Sequence, residues 1–595
     1  MRMTSCSPVL AALCAGGSVF FALPDIASAQ GCSTVRASVA TDGSQGTGSV
    51  GQIDLSANGR YVVFTTSSPN IVPGSLGQII RRDLLSGTTT LVSAGPGGVP
   101  ASTGCEVPSA SADGRWVAFA TDANNLGPVD TNTLRDVYLH DCETGDNFIA
   151  SGNPGLGPLN GMSTNPDVSD DGRYVAFQSA FTNLDPADTN GFTDIYVYDR
   201  LAGTTELVSI TANGVQGDSG STRPSISGDG RYVAFSTGAT TFHPADVNGL
   251  NDIFVKDRLT GALTLVSARP EGMPGNGFSD RPSISADGRF VAFESRSTDL
   301  GPPHHPMYAG FDVYVRDLLT STTTAVDRTI FGAPPMYDCL NARLSADGRF
   351  VAFDSQNLNL VIGDTNNSND VFLHDRRTGQ TRRVNLSNAD QQSTNYSGVP
   401  AISADGTRVA FISWSADLVP DDTNDRIDVY VRTCPLPVGM AFCSGDGSAT
   451  TCPCGNAGAI GTGCAHPVQP AGARLFALGV ASATNDSLVL RGEGLTNSIA
   501  TYFQGTSMVN GGQGIVFGDG LVCAAGGLVR LGQKLGIGGV SGYPAAGDLP
   551  VSVRGNIPAG GGVTRTYQVW FRSSAPFCTP DTFNYTNGVQ IPWQP

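Results

Sequence analysis

Between residues 33 and 434 apolar and polar positions alternate in short runs, and turn-forming residues separate the runs in a fixed order. The stretch 166–209 shows one unit. Pro166-Asp-Val-Ser169 leads into Asp170-Asp171-Gly172, a two-strand turn signal, and then into Arg173-Tyr-Val-Ala-Phe-Gln-Ser179. A long polar loop follows. Asp194-Ile-Tyr-Val-Tyr-Asp199 alternates in apolar character, and Leu201-Ala-Gly203 turns the chain into Thr205-Glu-Leu-Val-Ser209. Each unit thus predicts four antiparallel strands. The glycine of the first turn recurs at 59, 114, 172, 230, 288, 348 and 406, a spacing of 55 to 60 residues, which makes seven copies. No 3.6-residue period lies between them, so a helical solenoid is excluded and a propeller is predicted.

The element Ser-x-Asp-Gly-Arg-x-Val-Ala-Phe, with Asp-Ile-Tyr-Val-x-Asp after it, resembles the WD40-like propeller repeat of the TolB-type family over residues 33–434. The resemblance implies an all-β fold, a seven-bladed β-propeller. It leaves function open, because such propellers serve as binding platforms, scaffolds and enzyme parts.

The two ends of this region predict a closed ring. The last unit stops after its third strand, at Asp428-Val-Tyr-Val-Arg-Thr-Cys434. Before the first unit, Ser33-Thr-Val-Arg-Ala-Ser aligns with the fourth-strand segment Thr204-Thr-Glu-Leu-Val-Ser. The N-terminal strand should therefore complete the last blade and remove an open edge. In that alignment Cys32 stands at the place of Gly203 and Cys434 at that of Arg200, on either side of a turn that the last blade lacks. A Cys32–Cys434 disulfide is expected to replace the turn covalently.

Charge and cysteine usage narrow the setting. The chain carries 35 Lys+Arg against 52 Asp+Glu, a net charge of −17, so nucleic acid and anionic membrane surfaces are unexpected partners. Residues 1–29 read as a signal peptide: Arg2, an apolar run to Leu23, and Ala27-Ser28-Ala29 before the cleavage point. No second apolar stretch is long enough to span a bilayer. A secreted or periplasmic monomer is expected. Of 13 cysteines, Cys6 and Cys14 leave with the signal, and the rest are disulfide candidates in an oxidising compartment.

Candidate chemistry concentrates on one face. The first–second and third–fourth turns are short, whereas the second–third and fourth–first connections are long, so a protein or glycan ligand is expected on the long-loop face. On the short-turn face, antiparallel pairing brings Arg173 near Asp199, Arg231 near Asp257 and Arg289 near Asp317. Five long loops carry Asp-x-Asn-x-x-x-Asp: Asp130/Asn132/Asp136, Asp188/Asn190/Asp194, Asp246/Asn248/Asp252, Asp364/Asn366/Asp370 and Asp422/Asn424/Asp428. Alternating oxygen ligands suit Ca²⁺, although the bidentate Glu of an EF-hand is missing. The plainer reading, favoured here, is an Asx turn and a strand-opening Asp bonded to backbone. No cofactor is required. Unit five has His304-His305-Pro306 instead, and no His spacing fits a zinc site. Gly217-Asp-Ser-Gly-Ser221 mimics a protease nucleophile stretch without a matching His and Asp context.

After Cys434 the composition shifts. Residues 435–442 read as a linker and 443–595 as a Cys-rich module similar to segments that end secreted bacterial proteins. Cys443, Cys452, Cys454 and Cys464 are closely spaced, and a bridge between Cys523 and Cys578 is expected. Short strands at 487–490, 514–517, 549–553 and 566–571 predict a small β-sandwich. Two functions compete. One is a non-enzymatic binding or scaffold propeller. The other is a hydrolase or lyase acting on polysaccharide or peptide with Asp and His from the long loops. A lesser third is a calcium-stabilised surface-layer or adhesion component.

Overall fold

A computed structural model of the chain describes residues 32–594 except 128–129, 131, 133, 153–160, 302–309, 435–436, 439, 446–449, 459–461, 468, 485, 546 and 573–581. The expected signal peptide, His304-His305 and Cys578 therefore lie outside the described residues. The described chain is all-β apart from Val551–Arg554 and a few 3-10 turns.

In the third unit Ser163–Val168, Tyr174–Ser179, Asp194–Asp199 and Thr204–Leu207 pair antiparallel in that order. The second strand is rich in β-branched and aromatic residues, and Val175, Ala176 and Phe177 are all fully buried. This continuous apolar run arises because each sheet is covered on both faces by its neighbours. Phe177 stacks on Tyr196 of the third strand with ring centroids 5.9 Å apart. Among the described residues, Ser33–Thr433 forms seven such four-stranded antiparallel sheets, a propeller-like array.

The Asp-Gly turn joins one sheet to the next. Gly172 has φ +69°, and a Cβ there would meet the Trp116 ring of the preceding sheet at 2.1 Å. Glycine is thus demanded both by the turn and by the aromatic packed against it. Beside these turns a backbone hydrogen bond links each sheet to its successor. Asn58 N–H donates to Ala112 O, Ala112 to Asp170, Asp170 to Gly228, Gly228 to Ala286, Ala286 to Ala346, and Ala346 to Ala404. Ala404 N–H then donates to Ala57 O at 2.8 Å, so the series returns to its start.

The last sheet is completed from the N-terminus. Ser33–Arg36 pairs antiparallel with Tyr430–Thr433, in the register Ser33↔Thr433 and Arg36↔Tyr430. Cys32 and Cys434 are disulfide-bonded, with their Cα atoms 4.2 Å apart. On the short-turn side Arg173, Arg231 and Arg289 clasp Asp199, Asp257 and Asp317, each with an Nη2–Oδ2 distance of 2.7 Å. Arg60–Asp83, Arg115–Asp141 and Arg349–Asp375 repeat the clasp. Where the last unit has Thr407 and Thr433 instead, Arg408 Nη1 donates to Gly59 O at 2.6 Å.

Among the described residues the C-terminal part forms two larger sheets, of four and six strands, that share one core including Leu475, Leu490, Tyr502, Tyr567, Phe571 and Ile591, and two small two-stranded ribbons. Three expectations need correction. Pro437–Val438 and Met440–Phe442, expected within a linker, are strands paired into the two larger sheets through backbone partners far along the chain, Leu478–Ala477 and Gln590–Gly588, which local composition does not reveal. The run 549–553 is one helical turn, Val551–Arg554, because Pro550 presets its N-cap and Gly555 closes it. Cys523 bonds to Cys443 rather than Cys578, and Cys452 bonds to Cys464. Cys105, Cys142 and Cys339 are free thiols. The module docks through Asp390, which follows the sixth sheet and takes Arg432 from the last sheet and Arg491 Nη1 from the module at 2.7 Å.

Candidate functional site

The first strands of successive sheets pack against one another as a wall, from Val50–Leu55 beside Cys105–Ala110 round to Ser397–Ile402, and each breaks register at the same place. The shift falls between Thr164 and Asp167 in the third sheet and between Thr222 and Ser225 in the fourth. A residue left unpaired by this bulge takes a left-handed φ of 51–57° in six sheets: Val107, Asn165, Arg223, Arg281, Asn341 and Val399. The bulge frees backbone N–H groups, and side chains of the preceding sheet accept them. Val107 N–H donates to Gln52 Oε1 at 2.6 Å, Arg223 to Gln178 Oε1 at 2.9 Å, Asn341 to Glu294 Oε1 at 2.5 Å and Val399 to Asp354 Oδ2 at 2.8 Å. A second tier joins Ala110 N–H to Asp54 Oδ2 at 2.8 Å and Ile226 N–H to Asp167 Oδ2 at 2.7 Å. Serines 109, 225 and 283 fill equivalent places.

Acidic groups in this wall are therefore staples first. Burial raises Asp54 to about 6; Asp167 adds to the rise and Arg343 opposes it. Burial also raises Glu294 to about 7 and pushes Asp167 and Asp354 up from their ordinary value. The cations differ in their engagement. Arg223 pairs with Asp280 at 2.9 Å and Arg281 with Glu294 at 3.4 Å. Arg343 is exposed, and its Nη1 makes only a 3.4 Å bond to Ala342 O among the described residues. One side of the wall thus offers a guanidinium, and Asp54 and Asp167 add negative potential to it.

The long loops behave as Asx turns. Asn132 N–H bonds Asp130 Oδ1 at 2.9 Å, and the equivalent bonds run from Asn190 to Asp188 at 3.3 Å and from Asn248 to Asp246 at 3.4 Å. The Asn carboxamides reach across to the next loop: Asn190 to Gly217 O, Asn248 to Gly275 O, Asn366 to Ser393 O and Asn424 to Gly46 O. Asp364 accepts from Gln392 at 3.0 Å, and Asp422 from Gln45 at 2.5 Å. The strand-opening Asp136, Asp194, Asp252 and Asp428 accept the hydroxyls of Ser151, Ser209, Ser267 and Ser38, while Asp370 accepts Asn385 Nδ2. Burial raises Asp136, Asp194 and Asp370 to about 6 and Asp252 to about 7. Among the described residues no three His, Cys, Asp or Glu side chains gather around a cation position.

One site residue escaped the sequence reading. Asp327 stands where other units have Ser151, Ser209, Ser267 or Asn385, and it accepts the Val313 N–H at 2.8 Å. Its buried carboxyl, beside Asp312, is raised to about 8. Aligning the units after the fourth strand exposes the exchange.

No family model and no curated protein matches the chain. Solved structures similar to it include the oligogalacturonate lyase of Vibrio parahaemolyticus, 13% identical over 68% of this chain and 93% of that one, TM-score 0.43. TolB of Acinetobacter baumannii is 15% identical over 65% of this chain and 78% of that one, TM-score 0.31. The propeller domain of the Trilobed protease of Pyrococcus furiosus is 11% identical over 62% and 92%, TM-score 0.37. The fold stands on the strand pairing described above.

Proposed function

We propose that residues 33–434 form a closed seven-bladed propeller acting as a secreted or periplasmic binding protein. Its ligand, a protein or glycan, enters from the long-loop mouth of the channel. One observation carries this reading: the channel carboxylates spend their lone pairs on backbone N–H groups of the neighbouring blade, while Arg343 keeps an exposed guanidinium for a partner. A general acid or base needs a reacting group within hydrogen-bond reach, and these carboxylates are already committed to holding the wall. Three disulfides fit an oxidising compartment, and among the described residues no helix is long and apolar enough to cross a membrane. A hydrolase or lyase reading rests on Glu294, whose carboxyl near 7 suits a general acid.

The test applies the mature protein to a glycan and peptide array and scores both retention and cleavage. Retention without products, weakened by Arg343→Ala, is expected. Turnover that Glu294→Gln abolishes would replace binding with catalysis.

A further inference from the structure

The six-stranded sheet of the C-terminal module turns one face to the shared core and leaves part of the other open. In Thr564–Arg572 the core takes Tyr567, Val569 and Phe571, so Trp570 and Arg572 point outward. In Ile499–Gly505 the core takes Ala500 and Tyr502, and Ile499, Thr501 and Phe503 point outward. Strand pairing sets the outward residues in rows. Gln533, Thr501, Trp570 and Tyr585 stand side by side, and Arg530 stands opposite Phe503.

Two features mark this face. The first is a ridge of rings. The Trp570 and Phe583 centroids are 5.8 Å apart and those of Phe583 and Phe517 5.6 Å, each pair tilted by 40°. Phe517 is 57% exposed, and Trp570 and Phe583 are partly exposed. The second is charge. The six strands contain no Asp or Glu, although the chain carries a net charge of −17. Arg530 and Arg572 are exposed and have no acidic partner among the described residues, whereas Lys534 is paired with Asp548. Asp519, in the turn that packs on Phe583, is itself buried. The Arg572 guanidinium lies 5.9 Å from the Trp570 ring centroid, so cation and ring adjoin. In the same row Gln533 is exposed and donates to Thr501 Oγ1 at 3.2 Å.

Each feature selects a different part of a partner. A ridge of rings suits the C–H faces of pyranose sugars, and a carboxamide beside a hydroxyl suits their hydroxyl groups. Guanidiniums without a protein carboxylate are complementary to carboxylate or sulfate. An anionic membrane would meet the same cations, but so broad a surface would also meet the acidic remainder of the chain. A polysaccharide strand is narrow enough to touch this face alone. Three strand spacings separate Arg530 and Gln533 from Phe583, about 14 Å, a length that linked sugar rings span.

We propose that this face binds an acidic polysaccharide, a chain of pyranose rings carrying carboxylate or sulfate groups. The site belongs to the C-terminal module and does not depend on what the channel binds.

Calorimetry on the full mature protein tests it with short oligosaccharides of alginate, of dextran sulfate and of uncharged dextran, the first two separating carboxylate from sulfate. At least one acidic sugar is expected to bind with a Kd at or below about 100 μM, and dextran at least about tenfold more weakly. Trp570→Ala should weaken binding at least about fivefold, and Arg530→Gln combined with Arg572→Gln at least about tenfold. Both arginines are exposed, so their double variant decides the matter if Trp570→Ala does not fold. The proposal is overturned if neither acidic sugar gives heat up to roughly 1 mM, ten times the weakest expected Kd, or if dextran binds as tightly. Undiminished binding in a folded variant overturns it as well, and so does loss of binding in Arg343→Ala, which would place the sugar in the channel. Capture by phosphatidylglycerol vesicles without binding of either acidic sugar would assign the face to a membrane instead.

Discussion

Replacing both Cys32 and Cys434 by serine removes the covalent clasp without leaving a lone thiol. The bridge spans a sequence separation of 402. In the chain-entropy treatment a loop of that length withholds roughly 20 cal/mol/K from the unfolded ensemble, or about 6 kcal/mol at 25 °C. Unfolding of the roughly 400-residue ring has an entropy of about 0.8 kcal/mol/K, taking ~2.1 cal/mol/K per residue, so the midpoint should fall by about 7 °C. The pairing of Ser33–Arg36 with Tyr430–Thr433, and the 2.6 Å bond from Thr34 N–H to Asn388 Oδ1, remain in the variant, so the fold should persist. Scanning calorimetry of the parent and the double variant in non-reducing buffer reads the difference. A midpoint within about 1 °C of the parent would refute the reasoning, because a clasp closing so long a loop cannot be silent if the ring unfolds as a unit.

Two further outcomes are expected. The buried carboxyls Asp54, Asp136, Asp194, Asp370, Asp252 and Glu294 have folded values of about 6 to 7, above their ordinary 3.8 or 4.5. Their contribution is fully present below the unfolded values and is lost as pH rises through the folded ones, so the melting midpoint should fall from pH 5 to 8. The clasped Asp83, Asp257 and Asp317, held low by their arginines, act oppositely and lose their contribution below pH ~4. Asp252→Asn, which keeps an acceptor for Ser267, should flatten the alkaline limb, and a midpoint insensitive to pH from 5 to 8 would contradict this assignment. Separately, the Asp-Asn loops bond to their own turns and to the next loop, so EDTA should leave the midpoint unchanged. A drop of several degrees would establish the calcium reading instead.

The repeat was legible because its signals are local: an Asp-Gly turn, an apolar strand, and an Arg and an Asp brought together by pairing. The Cys32–Cys434 bridge was legible for a related reason, since alignment with Gly203 and Arg200 places both cysteines at one missing turn. The channel wall was not. Its staples join residues in different sheets, such as Gln178 to Arg223 and Asp354 to Val399, and the bulge breaks the two-residue alternation on which a facing rule depends. Asp327 is a departure from the repeat that only an alignment after the fourth strand brings out; its partner, the Val313 N–H, lies in its own unit. In the C-terminal module, disulfide partners depend on sheet packing, so the spacing of Cys443, Cys523 and Cys578 could not choose between them.

Closure of the ring by the N-terminal strand is tested most directly by proteolysis of the mature protein under non-reducing conditions and mass mapping of the cross-linked peptides. A peptide from the start of the mature chain joined through Cys32 to the one holding Cys434 is the expected product. Cys32 found free, or joined to Cys105, Cys142 or Cys339, would contradict it.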